Sequence, residues 1–389
     1  MSSNPTVPLL SLTTMTRKSW KRFGRRHRII RNIIATIMLP AAGLWYAPNI
    51  QLTTNTAIWA LVYYFLSGIG ITAGYHRLWS HRSYSASSFL ELYLALAGAA
   101  CFQGSIREWS RDHRAHHRYV DTDRDPYSIS KGISYAHMGW LIIMPGLKQD
   151  KVDVSDLDSN RIVVWQHRNF TAIAIIVALK GGSIYAGILR MFFFQQATFC
   201  VNSLAHWLGD QPYDDRHSPQ DHLFTTLITF GEGYHNFHHT FPSDYRNGVT
   251  WYQYDPTKWF IWSWKKAGLA SDLHKYTSNL IGKCEYEQQQ KQLDQFWAHL
   301  NWGVPHTNLP LTTWASFQQE ICQGRELVVL AGLVTIRSYV GKDATSAFNG
   351  GVYAHSTAAH KLLDDLCVGI LLGGVELTKN PWPPGPGNY

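Results

Sequence analysis

The chain has few cysteines and no pattern in which to use them. Five occur in 389 residues, at positions 101, 200, 284, 322 and 367, with no C-x-x-C pair. That excludes a disulfide framework and a thiolate zinc knuckle, and it fits a protein facing a reducing compartment. Charge is scarce too: Asp, Glu, Lys and Arg make up 16% of the residues. From Asn32 to His76 none of the four occurs. An uncharged run of that length points to a part embedded in a membrane. A cleavable signal pattern is also lacking, since the opening residues are polar and include Pro5 and Pro8.

The charge that is present is uneven. The net value is +8, and much of it lies in the run from Arg17 to Arg28 together with Arg31. A nucleic-acid tail is one reading of such a run. Apolar sequence follows at once, so a juxtamembrane patch facing an anionic leaflet is the better one, with no nucleic acid involved and the N-terminus in the cytosol. The polar stretch Pro48 to Thr56 divides the uncharged run into two arms. Each arm is long enough to cross a hydrocarbon core of about 30 Å, which predicts a helical hairpin with both ends cytosolic. Abundant Trp and Tyr (16 and 20) fit interfacial belts.

Histidines carry the chemistry. His113, His116 and His117 lie in one stretch, and His235, His238 and His239 repeat the H-x-x-H-H spacing far downstream. On a helix, residues three and four apart share a face, so the three imidazoles of a box are expected to point at one spot. His76 and His81 form a third, looser pair. One such cluster is more often packing or surface; three beside apolar segments indicate a metal site. Imidazole suits zinc, copper, iron and nickel. So many nitrogens exceed one ion's needs, which implies two metals, and two irons suit oxygen activation.

The remaining segments are read around these clusters. Ser85 to Gly104 is flanked by histidines that must share one side of the membrane, so it should dip into or lie along the interface. A helix should then carry Trp109 to His117. Asp121 to Arg168 reads as a cytosolic cap. Phe170 to Leu179 is too short to span, and Lys180-Gly-Gly interrupts it. Ile184 to Trp207 reads as a single span broken by Arg190. Within it Asn202 and His206 are four apart; a helix–helix hydrogen bond is one reading of the pair, and the better one makes His206 a ninth ligand candidate, with Asn202 supporting a ligand or holding a water. Asp210 to Trp264 reads as cytosolic, Cys284 to Leu300 as a soluble helix or linker, and Leu309 onward as a small separate module.

These residues together resemble the membrane acyl-CoA Δ9 desaturase (stearoyl-CoA desaturase) family, of the fungal type with a C-terminal cytochrome b5-like domain. The carrying motifs are Gly70-Ile-Thr-Ala-Gly-Tyr-His-Arg-Leu-Trp-Ser-His81, Glu108-Trp-Ser-Arg-Asp-His-Arg-Ala-His-His117, Asn202-Ser-Leu-Ala-His206 and Gly231-Glu-Gly-Tyr-His-Asn-Phe-His-His239. The resemblance implies a mainly α integral membrane protein, roughly a four-helix transmembrane bundle under a cytosolic helical cap. It implies two iron ions (Fe2+) held by His76, His81, His113, His116, His117, His206, His235, His238 and His239, with Asn202 acting through water. It also implies a bent acyl tunnel. Gln103, Trp109 and Thr198 match positions at the bend, Tyr64 and Gly68 the closed end, and Asn32, Arg111 and Asp112 contacts to the CoA part. Met144 and Pro145 stand where the family has a basic pair, leaving Lys148 or the N-terminal patch to meet the CoA phosphates. The implied partners are long-chain saturated acyl-CoA, O2, cytochrome b5 and its reductase, and membrane lipid. The implied location is the endoplasmic reticulum membrane, multi-pass, with both termini cytosolic.

The domain layout on this reading is a basic tail over 1–28, a desaturase domain over 29–268, a linker helix over 269–305 and a truncated, degenerate α+β cytochrome b5-like module over 306–389. Two departures stand out. Gly341 to Ser356 resembles the second half of the fungal module, with His355 at the second axial position, but no His-Pro-Gly-Gly supplies the first. Haem binding is therefore expected to be weak or absent. Between Leu179 and Lys180 the family has roughly 20 further residues, the length of one span. Two other functions stay open: a fatty-acyl or alkane hydroxylase with the same histidine boxes, and a non-catalytic truncated isoform.

Overall fold

Two long apolar helices lead the described part of the chain, α1 (Ile29–Asn49) and α2 (Thr54–Ser80). The computed structural model describes residues 29–143, 152–179, 184–300, 308–325, 327–330, 333–336, 358, 361–362 and 366–372. The Thr53 hydroxyl accepts from the Thr56 amide and starts α2. Both helices are long and apolar enough to cross a membrane, as the uncharged run predicts. Leu44, Trp45, Ile58 and Leu61 stand exposed on them, a pattern that suits lipid contact and not water. From Gly70 to Ser80, α2 winds as a π-helix and every residue is buried.

The next helix, α3 (Ser88–Ala99), has 12 residues. That is too short to cross, in line with a segment that dips. A two-residue ladder, β1 (Ser85–Ala86) against β2 (Ala270–Ser271), closes the base of this region. Backbone meets backbone where α2 and α3 cross: a Cβ on Gly70 would lie 2.1 Å from the Gly98 nitrogen. After α3 the chain turns through Phe102 (φ +57°) and Gly104 (φ +98°). Ser105 and Glu108 then form a capping box that opens α4 (Ile106–Tyr119), the carrier of the first H-x-x-H-H box.

α5 runs from Arg161 to Leu179. It starts well before Phe170, inside the stretch expected to be cap. The cause is Asn160, whose Oδ1 accepts from the Ile162 and Val163 amides at 2.9 and 3.1 Å. Buried Gln166 on α5 accepts from the Ile106 amide at 3.1 Å and donates to the Tyr75 hydroxyl at 2.6 Å, tying α5, α4 and α2 together. α6 (Ile184–His206) is the third helix with the length and composition of a span. Arg190 does not break it, contrary to expectation. The side chain is buried and its guanidinium is satisfied by protein oxygens, so helical winding continues past it. The last turn of α6, Leu204–His206, tightens to 3-10 geometry.

Beyond α6 come α7 (His235–Thr240), α8 (Pro256–Lys266) and α9 (Ser278–His299). The protein is mainly helical and forms two compact units, Met1–Gln288 and Gln289–Tyr389. The division falls inside α9, within the 269–305 stretch read as a linker. In the second unit, β3 (Leu311–Thr312), β4 (Leu327–Leu330), β5 (Leu333–Ile336) and β6 (Cys367–Leu371) form a sheet in the order β3-β6-β5-β4. Phe317, from the helix α10 (Trp314–Cys322), packs with Leu327 and Leu371 beneath it.

The glycine crossing yields a test. Gly70→Ala is expected to destabilise the bundle by about 1–3 kcal/mol through overpacking against α3. The thermal midpoint of the detergent-solubilised protein should fall, and an unchanged midpoint would contradict the backbone contact.

Candidate metal centre

Nine imidazoles converge in the first unit, and they sort into two groups. His76, His81, His113, His117 and His238 form one; His116, His206, His235 and His239 form the other. In each group the ligand atoms lie within 4.8 Å of one another. Nε2 atoms stand 2.8–3.0 Å apart for His76–His238, His117–His238 and His81–His113. In the second group the spacings are 3.0 Å for His206–His235, 3.1 Å for His235–His239 and 3.3 Å for His116–His239. An ion with bonds of about 2.1 Å to nitrogen places adjacent ligand atoms about 3.0 Å apart where the bonds meet at right angles and about 3.4 Å apart in a tetrahedron. The donor set and its spacing therefore fit two ions.

One expectation needs correction. The three histidines of a box do not point at one spot. His113 and His117 serve the first group while His116 serves the second; His235 and His239 serve the second while His238 serves the first. Helix geometry explains the split. Positions i and i+4 lie about 40° apart around the axis, whereas i+3 falls about 60° to the other side. Adjacent histidines thus diverge, and each box is shared between both groups.

The far nitrogens of several rings are held by residues that the histidine pattern did not single out. His116 Nδ1 lies 3.0 Å from Asp125 Oδ1, with both side chains buried. His76 Nδ1 lies 2.7 Å from Glu232 Oε2. His206 Nδ1 lies 2.7 Å from the Ser218 hydroxyl, which donates to Asp121. Glu232 in turn accepts from Arg77 and Asn247, and Arg77 is paired with Asp255. Such partners fix the ring's orientation and tautomer. A signal existed in the chain: Glu232 sits three positions before His235, and a carboxylate that close to a box is a candidate orienter.

Burial pushes the imidazoles of His81, His113, His117, His235, His238 and His239 well below the usual range, and neighbouring rings add to the effect. They are neutral near pH 7, the state a metal requires.

A cavity of about 160 Å³ opens beside the histidines. His76 and His113 from the first group and His116 and His235 from the second are in its lining, with Asn202. Of the proposed substrate residues, Asn32, Gln103, Trp109, Arg111, Asp112 and Thr198 line it. Trp109 Nε1 donates to Gln103 Oε1 at 3.1 Å, and Gln103 Nε2 donates to the Thr198 hydroxyl at 2.9 Å. The Trp109 ring stacks on His113 with centroids 4.9 Å apart. Arg111 and Asp112 pair with each other, and Asn32 donates to the Leu141 carbonyl. Tyr64 and Gly68 are not in the lining. They back it, packing against Phe194, which is, and against Phe230. His355, Met144, Pro145 and Lys148 lie outside the described residues.

Three outcomes are expected. His206→Ala should lower bound metal from about two ions per chain to about one, because the five-nitrogen group keeps its donors; elemental analysis of the purified protein reads this. Asp125→Asn and Glu232→Gln should each weaken metal retention about 10–100-fold in a chelator competition. For the metal-free protein the sign of the pH effect follows from the depressed imidazoles. The unfolded chain binds more protons below about pH 6.5, so stability is present above that value and is lost as the pH falls through it. A thermal midpoint that rises on acidification from pH 7 would contradict the burial of neutral rings.

Comparison with known proteins supplies the family. The pattern described as Fatty acid desaturase matches residues 54–270, and that described as Cytochrome b5-like Heme/Steroid binding domain matches residues 330–372. A probable acyl-CoA desaturase of Schizosaccharomyces pombe is 46% identical over 396 residues, covering 95% of this chain and 81% of the relative. Acyl-CoA desaturase 1 of Saccharomyces cerevisiae is 42% identical over 372 residues, with 87% and 73% covered. Stearoyl-CoA desaturase 5 of Bos taurus is 37% identical over 281 residues, with 66% and 83% covered. With its histidine boxes folded into two nitrogen cages, this chain belongs to the fatty acid desaturase family.

Proposed function

We propose that the protein is an acyl-CoA Δ9 desaturase. It inserts a cis double bond into a saturated acyl-CoA such as palmitoyl- or stearoyl-CoA, using O2 and two electrons per turnover. The observation that carries this reading is the cavity, whose wall includes histidines from both groups and whose lining combines Phe102, Phe170 and Phe194 with Arg31, Asn32, Arg111 and Asp112. An apolar chain with a polar, anionic head suits that lining.

The nine histidines would hold two iron ions, with Asn202 contributing through a water. Removing hydrogen from an unactivated CH2 is beyond any side-chain acid or base, and the irons supply the oxygen chemistry. The chain's own residues do the positioning. The Trp109–Gln103–Thr198 relay sets the bend of the passage beside His113. Phe194, backed by Tyr64 and Gly68, closes its apolar end. Arg111, Asp112 and Asn32 meet the CoA part, and the fixed distance from that anchor to the histidines selects the carbons that react.

The same reading assigns the rest of the chain. Residues 29–268 form the desaturase domain after a basic tail over 1–28, and 306–389 form a shortened cytochrome b5-like module after the 269–305 linker helix. α5 serves as a fourth crossing beside α1, α2 and α6, with both termini cytosolic and the endoplasmic reticulum as the membrane. Without a His-Pro-Gly-Gly ligand the module holds haem weakly, so the electrons come from a separate cytochrome b5 and its reductase.

Expression in a desaturase-deficient strain tests the function. Growth without added unsaturated fatty acid, and a Δ9 monoene among the cell lipids, is the expected result. A hydroxylated product from labelled C18 acyl-CoA would favour hydroxylation, and iron-loaded protein without any product would favour the non-catalytic isoform. Spectra of the purified full chain should lack a stoichiometric Soret band; a full band with a reduced bis-histidine spectrum would overturn the haem assignment.

A further inference from the structure

Arg190 is a buried cation inside the membrane-spanning helix α6. Its partners among the described residues are neutral. Nε donates to the Ala186 carbonyl at 2.9 Å, one terminal nitrogen to the Ser67 hydroxyl at 2.8 Å, and the other to the Ala100 carbonyl at 2.9 Å. The guanidinium also lies 4.3 Å from the centre of the Tyr63 ring. Burying a guanidinium at membrane depth is expensive, so the groups that receive it indicate its purpose.

Ala186 belongs to α6 itself and Ser67 and Tyr63 to α2, while the Ala100 carbonyl lies at the end of α3. The dipping helix terminates inside the bundle, and its last carbonyls have no water to turn to. The Leu96 to Ala99 carbonyls are met by the amides of residues 100 to 102. Ala100 and Cys101 then present their own carbonyls. Arg190 takes the first, and Gln195, one turn further along α6, takes the second at 3.2 Å. Cys101 Sγ donates to the Ser67 carbonyl at 3.4 Å. A cation is the favourable group at a helix C-terminus. Immediately beyond lie Phe102, Gln103 and Gly104, all in the cavity lining, and Gln103 is the residue that holds both Trp109 and Thr198.

We infer that Arg190 is a positioning residue for desaturation: it caps the intramembrane end of α3 and so sets where the α3–α4 turn holds Gln103 at the bend. This rests on the reading of the cavity as the acyl passage. Lys cannot replace Arg here, since one ammonium cannot span Ser67 and Ala100 as a planar fork does. Loss of the fork should free the turn, widen the bend and blur the selection of carbons, while the histidines on α4, α7 and the end of α6 keep their ions.

The test uses the full-length protein with Cys284, Cys322 and Cys367 replaced by Ala, so that Cys101 at the capped end and Cys200 on α6 remain. N-ethylmaleimide alkylation of both thiols, bound iron and product double-bond position are measured for this parent, Arg190→Met and Arg190→Lys. In Arg190→Met, Cys101 alkylation should rise by at least about tenfold, the effect of losing one charge-assisted hydrogen bond, with Cys200 and bound iron unchanged. Arg190→Lys should fall between. The double bond should spread to neighbouring positions, with kcat falling more than KM rises. Unchanged Cys101 reactivity overturns the inference, and so does a joint rise at both thiols with loss of iron, which marks general unfolding. If the parent makes no monoene, the proposed function fails, while the alkylation readout still decides the role of Arg190.

Discussion

The structure depends on holding nine imidazoles close together. Like-charged rings at 3 Å would repel, so the arrangement exists only where burial holds the protons off or where ions take their place. Everything nearby serves that end. α4 and α7 each give two nitrogens to one group and one to the other, so neither group can form without both helices in register. The outer partners, Asp125, Glu232 and the Asp121–Ser218 pair, then fix the rings from behind. A cross-tied centre of this kind joins elements that are far apart in sequence more firmly than two separate sites would.

Much of this was legible in the chain. Repetition of H-x-x-H-H marked the donors, because that spacing has meaning only on a helix face. The uncharged run from Asn32 to His76 marked the first hairpin, because lipid tolerates no charge without a partner. The short segment at Ser85 to Gly104 was legible by elimination, since histidines on both its flanks must share a side. Lining residues such as Gln103, Trp109 and Thr198 came through family resemblance; composition alone treats them as packing.

Other features were not legible, for physical reasons. A linear pattern places His116 beside His117 but cannot state that neighbours diverge toward different ions. Arg190 reads as an interruption in an apolar run, because two of the three oxygens that satisfy it come from α2 and the end of α3, which are distant in sequence. The start of α5 was misplaced because hydropathy changes at Phe170, whereas the helix begins where Asn160 caps it. Glu232 and Asp125 stand in no repeated pattern of their own, so the chain does not mark them as the groups behind His76 and His116.

The π winding at the end of α2 has a consequence for the spacing of the first histidine pair. His76 and His81 are five apart, and on an ordinary α-helix that separation turns two side chains about 140° away from each other. Here the His81 amide bonds to the His76 carbonyl, the i to i+5 closure of a wider turn, and the two rings sit 4.8 Å apart in the same nitrogen group. The extra residue per turn is thus what lets an H-x-x-x-x-H pair act as neighbours. Spacing and winding in this segment are matched: a one-residue change in either alone would turn one of the two rings out of the group.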